Sequence, residues 1–238
     1  MNQSLLENIS NQKYFLFETF KTVLNMIINR GYMIPEEEMD ILSEDYTEDD
    51  FQEYLIDKIK ERKAKKLIDV LSDVFFSEEG KECYMYFITN DINKKKVSKT
   101  AISYFENEIE KNPNVKNIII ISSTEYSAPA KTHLISLNKN FNMDFPKWEF
   151  FEMKELLYNP VEFLDTPKHE LLSPEEEQKV MAELKISKLK LPYLLPEDKI
   201  VKYYGWEPGR VIRIHRNDDM FDSLTENTYQ YRYIPLIE

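Results

Sequence analysis

Apolar residues at Leu16, Phe17, Phe20, Val23, Leu24, Ile27 and Ile28 recur every three or four positions, which places them on one face of an amphipathic helix. Gly31 supplies its stop. An acidic stretch over residues 35–51 follows, in which Thr47 is placed to cap a second helix carrying Phe51, Leu55, Ile56 and Ile59 inward. Residues 67–76 fit either helix or strand by period; they are read as a strand, because residues 77–82 look like a turn and residues 83–88, CYMYFI, favour a strand. The two then form a hairpin. Val97, Ala101, Ile102, Phe105 and Ile109 mark a helix that Asn112 and Pro113 end. Residues 115–122 read as a strand buried on both faces. A short helix with Leu134 and Ile135 comes next, then an aromatic strand at residues 148–151. Alternating strands and helices of this kind predict an α/β domain with a central sheet and flanking helices.

The pattern changes near residues 142–146. Ser173, Pro174 and three glutamates open a helix expected to point Val180, Met181 and Leu184 inward. From Leu189 onward the pattern is short and broken by prolines. Residues 189–195, 210–216 and 228–236 are expected to make a small sheet; Ile212 and Ile214 face one side, Arg213 and His215 the other, and Pro208 with Gly209 makes a tight turn. The expectation is two domains: residues 1–143, and a small α+β, mainly β domain at residues 144–238.

Composition narrows the function. With 31 basic and 43 acidic side chains the net charge is −12, so tight DNA binding by the free chain is not expected. The start of the chain does not read as a secretory signal, and no run is apolar enough to span a membrane. Cys83 is the single cysteine, which excludes an intrachain disulfide. Four glycines leave no dinucleotide or phosphate-cradling motif, and His133, His169 and His215 stand apart from one another and from Cys83, so no metal, cofactor or catalytic set is expected. Two basic segments stand out, residues 58–66 and the trio Lys94, Lys95 and Lys96 with Lys99. Glu152 and Lys154, with Asp91, have the form of a metal-dependent nuclease signature, and that activity is the alternative reading.

The C-terminal residues are more specific. His169, Leu172 and Ser173, Leu191 and Pro192, Tyr203 to Gly205, Gly209 and Arg210, the strand Val211, Ile212, Arg213 and Ile214, then Tyr231 and Arg232 occur in an order that resembles the fifth subunit of eukaryotic-type DNA-dependent RNA polymerases and its archaeal counterpart. Arg30, Gly31 and Tyr32, and the loop Ser127, Ala128, Pro129, Ala130 and Lys131, extend that resemblance to the eukaryotic form's N-terminal jaw, with the loop proline shifted by one position. The resemblance implies a non-catalytic polymerase subunit. Its C-terminal assembly domain would dock on the largest subunit, beside neighbouring small subunits, through His169, Pro192, Tyr204, Gly205, Gly209, Arg210, Tyr231 and Arg232. Its jaw would approach downstream duplex DNA through Lys94, Lys95, Lys96, Lys99, Pro129 and Lys131. It implies a nuclear location for a cellular member. The Asn-, Ile- and Lys-rich composition points towards a large-DNA-virus member, for which the virion and the host cytoplasm or nucleus are the expected locations.

Overall fold

The apolar stripe at the start of the chain folds as helix α1 (Gln3–Asn29), and Leu16, Phe17, Phe20, Val23, Leu24 and Ile27 on it are all buried while Ile28, one step round, is exposed. Gly31 ends it at φ +84°, a conformation in which a side chain would be strained. This is a computed structural model, and it describes residues 3–88, 96–109, 114–139, 146–163, 165–216 and 228–236. After the short strand β1 (Tyr32–Met33) and the single-turn helix α2 (Glu36–Met39) comes α3 (Glu48–Arg62). Its start is held reciprocally: the Asp50 N–H donates to Thr47 Oγ1 at 3.2 Å and the Thr47 N–H donates to Asp50 Oδ2 at 2.8 Å. Phe51, Leu55 and Ile59 are buried and Ile56 only partly so.

Residues 67–76 are not one strand. The first half forms the helical turn α4 (Ile68–Leu71) and only then does β2 (Asp73–Ser77) begin. The reason lies in groups that reach across the segment. Asp69 accepts from the N–H groups of Lys65 and Lys66, and Arg62 donates to the carbonyls of Asp69, Val70 and Ser72 while pairing with Asp73 at 2.6 Å. The helical turn gathers those carbonyls where one guanidinium reaches them, while its own N–H groups use the Lys66 and Leu67 carbonyls; an extended chain would spread them apart. β2 then pairs antiparallel with β3 (Glu82–Ile88), giving the expected hairpin.

From β3 the chain runs through α5 (Lys99–Ile109), β4 (Val115–Ser122), α6 (Ala128–Lys139) and β5 (Lys147–Glu152), with β3, β4 and β5 parallel neighbours. The sheet order is β1-β2-β3-β4-β5, antiparallel at one side and parallel at the other. One face carries Tyr84, Tyr86, Ile118, Ile120 and Trp148 against Ile102 and Phe105 of α5 and Ala130 and Leu134 of α6. The opposite face carries Phe87, whose ring lies 6.0 Å from Phe20 of α1, which in turn meets Phe51 of α3 at 5.5 Å. Ile118, Ile119, Ile120 and Ile121 are therefore all buried, as a strand covered on both sides requires. Ile135 is 53% exposed, because residues adjacent on a helix are about 100° apart and Leu134 takes the inward position.

Contacts divide the chain into two compact units, Met1–Tyr158 and Asn159–Glu238. β5 belongs with the first, since it pairs along its length with β4. The second unit holds a three-stranded antiparallel sheet in the order β6-β7-β8, formed by β6 (His169–Leu171), β7 (Val211–Arg216) and β8 (Thr228–Tyr233), with helices α7 (Pro174–Leu184) and α8 (Lys199–Tyr204). Residues 189–195 do not form the expected strand. Residues 188–190 make a tight helical turn, and Leu194 and Pro192 touch β8 only through Leu194 N to Tyr233 O at 2.9 Å and Tyr233 N to Pro192 O at 3.0 Å. Pro192 has no N–H to extend a ladder. The third strand is β6 instead, too short to show a period.

Ser173 caps α7 as expected, with Glu176 completing the reciprocal pair. Val180 is buried and Met181 partly buried, but Leu184 is 45% exposed. α8 has no counterpart in the apolar pattern; Asp198 opens it by accepting the Ile200 N–H at 2.9 Å and Gly205 closes it at φ +66°. Leu172, Val180, Leu191, Val211 and Tyr233 pack together, while Val201, Ile212, Ile214 and Ile234 form a second cluster. β7 thus separates two small cores.

Candidate functional site

In the N-terminal unit, the residues just before α5 are tied to the loop between β4 and α6. Val97 N donates to Glu125 O at 2.9 Å and Ser127 N to Val97 O at 3.0 Å, so the approach to α5 lies beside the approach to α6. The buried Tyr126 anchors the second loop, its hydroxyl donating to the carbonyls of Ile120 at 2.9 Å and Phe151 at 3.3 Å. Burial pushes that hydroxyl well above its ordinary pKa of 10, so it remains a donor. The result places Lys96, Lys99, Pro129 and Lys131 in one region. Lys94 and Lys95 lie outside the described residues.

These lysines are not alone. Lys96 Nζ pairs with Glu125 at 2.8 Å, and Lys154 Nζ, just beyond β5, pairs with Glu152 at 2.6 Å. A hydrogen bond and charge from Lys96, then the charges of Lys154 and Lys131, hold the Glu125 carboxyl below its usual range. Lys154 is the cation that periodicity does not assign to this region; its position after a third parallel strand is the signal that finds it. Close by, Lys99, Ala128, Pro129, Thr132, His133 and Ser136 line an open depression, and His133 Nε2 meets Glu106 Oε2 at 2.7 Å, joining α6 to α5. The basic residues 58–66 do other work: Lys58 pairs with Glu37, and Arg62 holds the turn before β2.

Glu152 and Lys154 are each other's partners, and the Glu152 N–H donates to Glu155 Oε2 at 3.0 Å. Asp91 lies outside the described residues. Among the described residues no three or more His, Cys, Asp or Glu side chains come together as a metal site would need. Cys83 is buried, and burial pushes its thiol up to about 12.

In the C-terminal unit the candidate residues play distinct parts. Gly209 sits at φ +91°, where its N–H reaches Ile234 O at 2.8 Å and its carbonyl accepts from Lys188 Nζ at 2.8 Å. Arg210 is engaged internally, donating to Glu177 Oε1 at 3.0 Å and to the Leu172 carbonyl at 2.5 Å. It thereby locks the start of α7 to the start of β7. Tyr204 stacks on Trp206 with ring centroids 4.6 Å apart and planes 8° from parallel, directly across the bend made at Gly205. His169 is half-buried, its Nδ1 2.7 Å from the Pro167 carbonyl oxygen; burial lowers its pKa. Tyr231 packs partly against the Leu172 core, and Arg232 turns back to the Tyr231 carbonyl and Gln230. A row of exposed apolar side chains lies elsewhere: Leu184, Ile186, Leu189, Tyr193 and Leu195 are each between 39% and 60% exposed, from the end of α7 onward, with Pro192 exposed among them; Phe163, Tyr229 and Leu236 of this unit are exposed as well. Sequence patterning assigned several of these to a covered sheet.

The profile of the RNA polymerase Rpb5 C-terminal domain matches residues 158–234, almost the whole of this second unit. The "DNA-directed RNA polymerase subunit Rpo5" of Sulfurisphaera tokodaii is 41% identical over 68 residues, which cover 76% of that protein and 29% of this chain. The chain belongs to the RNA polymerase subunit 5 family. Similarity to other members of the subunit 5 family extends over both units. The "DNA-directed RNA polymerases I, II, and III subunit RPABC1" of Caenorhabditis briggsae is 25% identical over 205 residues, covering 86% of this chain and 90% of that protein. The "DNA-directed RNA polymerase subunit 5-like protein 1" of Arabidopsis thaliana is 24% identical over 229 residues, covering 92% and 94%. Subunit 5 proteins of both lengths therefore align with this chain, the archaeal one over a short part of it and the eukaryotic ones over most of it.

Proposed function

We propose that this chain acts as a non-catalytic subunit of a nuclear-type DNA-directed RNA polymerase, with the C-terminal part as its assembly domain and the N-terminal part as a jaw beside downstream DNA. The observation that carries the first half is the coincidence of the family match, residues 158–234, with a unit that has its own cores and displays an uncovered apolar row. An aromatic and aliphatic row of that kind suits an obligate protein interface better than a solvated surface. The occupant we assign to it is the largest polymerase subunit, with small subunits adjoining. Arg210, Gly209 and Tyr231 serve the interface by holding the unit's shape, and Tyr193, Leu189 and Leu195 are its contact residues.

The jaw role rests on Lys96, Lys99, Lys131 and Lys154 sharing one end of the α/β sheet. Phosphate contacts of this type position a duplex without reading its sequence. With a net charge of −12 the free chain binds duplex DNA weakly, so the contacts reach their full effect only inside the assembled enzyme. Capture by the cognate largest subunit tests the division of labour: co-expressed residues 159–238 are retained and residues 1–158 are not. Retention of the N-terminal fragment alone would reverse the roles.

A further inference from the structure

Two lysines on the proposed DNA face, Lys96 and Lys154, are paired with carboxylates of the same surface. Lys96, Lys131 and Lys154 surround Glu125, while Glu152 and Glu155 act on Lys154, and Glu152 acts on Lys96. Two of the contacts are direct, Lys96 to Glu125 at 2.8 Å and Lys154 to Glu152 at 2.6 Å. Glu125 stands in the loop that Tyr126 anchors, one residue from a buried side chain hydrogen-bonded to two strands, so its backbone is fixed relative to the sheet. The Glu125 carbonyl is held too, by the Val97 N–H at 2.9 Å. With its backbone fixed beside Lys96, this exposed carboxylate competes for the lysine with any phosphate that approaches.

We propose that Glu125, aided by Glu152, is an intramolecular phosphate mimic that masks the lysines of the jaw and sets how strongly this surface holds duplex DNA. The inference rests on the DNA-facing reading above. Engaging a phosphate exchanges one anion for another at Lys96 and Lys154, so the net gain per lysine is smaller than for a free cation. Salt weakens the internal pair along with the external one. A masked lysine therefore contributes less than its full share to the salt dependence of binding. The consequence is a surface that follows moving DNA without gripping it, which suits a polymerase that translocates.

The test uses the full chain and a fluorescently labelled random-sequence duplex, titrated from low to physiological salt. Glu125→Gln is expected to tighten binding about two- to five-fold at low salt, the range that loss of one exposed ion pair allows. Its plot of log affinity against log salt should steepen by up to about 0.9, the share of one full phosphate contact. Glu61→Gln, an exposed carboxylate on α3, changes the net charge equally and should leave both quantities near wild type. In a Lys96→Gln background, Glu125→Gln should lose most of its effect. Two results overturn the proposal: Glu125→Gln leaving affinity and slope unchanged, or Glu61→Gln reproducing its gain. Lys96→Gln and Lys131→Gln separate this failure from that of the DNA-facing reading. If they weaken binding while Glu125→Gln is silent, the face stands and the mask falls; if they have no effect, both fall.

Discussion

Arg30→Ala is expected to destabilise the N-terminal unit by about 3–5 kcal/mol. The Arg30 guanidinium donates to both oxygens of Glu149, Nη1 to Oε2 at 2.6 Å and Nη2 to Oε1 at 3.2 Å. The two side chains are 5% and 10% exposed. Burial pushes the Glu149 carboxyl up, but Arg30 and then Lys147 outweigh it and hold the group below the ordinary carboxylate range. Without Arg30, the buried carboxylate depends on Lys147 at 3.6 Å for its compensating charge. The pair also carries topology, because Arg30 closes α1 while Glu149 lies in β5, and the next residue but one, Tyr32, meets Asn117 of β4 through its hydroxyl. Arg30, Gly31 and Tyr32 thus stitch the first helix across the parallel strands, which gives a structural reason for that tripeptide. Urea unfolding checks this, and a loss below about 1 kcal/mol would show that the pair adds no more than a surface one. Replacing both partners by apolar residues, Arg30→Met with Glu149→Leu, should recover most of the loss.

The second large effect is a dependence on pH centred on Glu38. The residue is 1% exposed; Oε1 accepts from the Tyr54 hydroxyl at 3.2 Å and Oε2 has no hydrogen-bond partner. The charged groups that act on it are Asp73 on β2, Lys58 on α3 and Glu37 beside it on α2, and Lys58 pairs with Glu37. Burial and then the Asp73 charge raise its pKa from 4.5 to about 7. The folded chain thus binds this proton more tightly than the unfolded chain. The stabilisation is complete below the ordinary value of 4.5 and is lost as pH rises through about 7. Over that window the group's contribution falls by up to about 3 kcal/mol. Glu38→Gln keeps the shape without the titration, so its stability should be flat across the same window while the wild type declines. Parallel curves for the two proteins would mean that other groups carry the dependence.

How much of this was legible in the chain depended on whether the deciding contact was local. α1, the capped starts of α3 and α7, and the strand around Ile118 to Ile121 follow from period and from residues within four positions of one another. The segment at residues 67–76 does not, because Arg62 turns it helical from outside the window. α8 is six residues long, shorter than two turns, and exists through Asp198 and Gly205 rather than through an apolar face. β6 has three residues and is recruited by β7, so no alternation announces it. The candidate surface shows the same division. Lys96 and Lys131 both act on Glu125 because Val97 bridges Tyr126, a pairing of residues 29 positions apart that neither stretch encodes alone. Glu125 as the partner of Lys96 is equally a product of that bridge. The interface residues carried the family signature in order, yet Arg210 and Tyr231 prove to hold the unit together from within, and in the exposed row Leu184 was expected to face inward and residues 189–195 to form a strand of the small sheet.

Work inside an RNA polymerase is tested most directly by gentle affinity purification of the tagged full chain from its native source, followed by size-exclusion chromatography and mass spectrometry of the peak. One high-mass peak is expected, containing the largest subunit of a DNA-directed RNA polymerase in equal proportion to this chain. Elution of the chain at the size of a free protein, with no polymerase subunit beside it, would show that it works outside that enzyme.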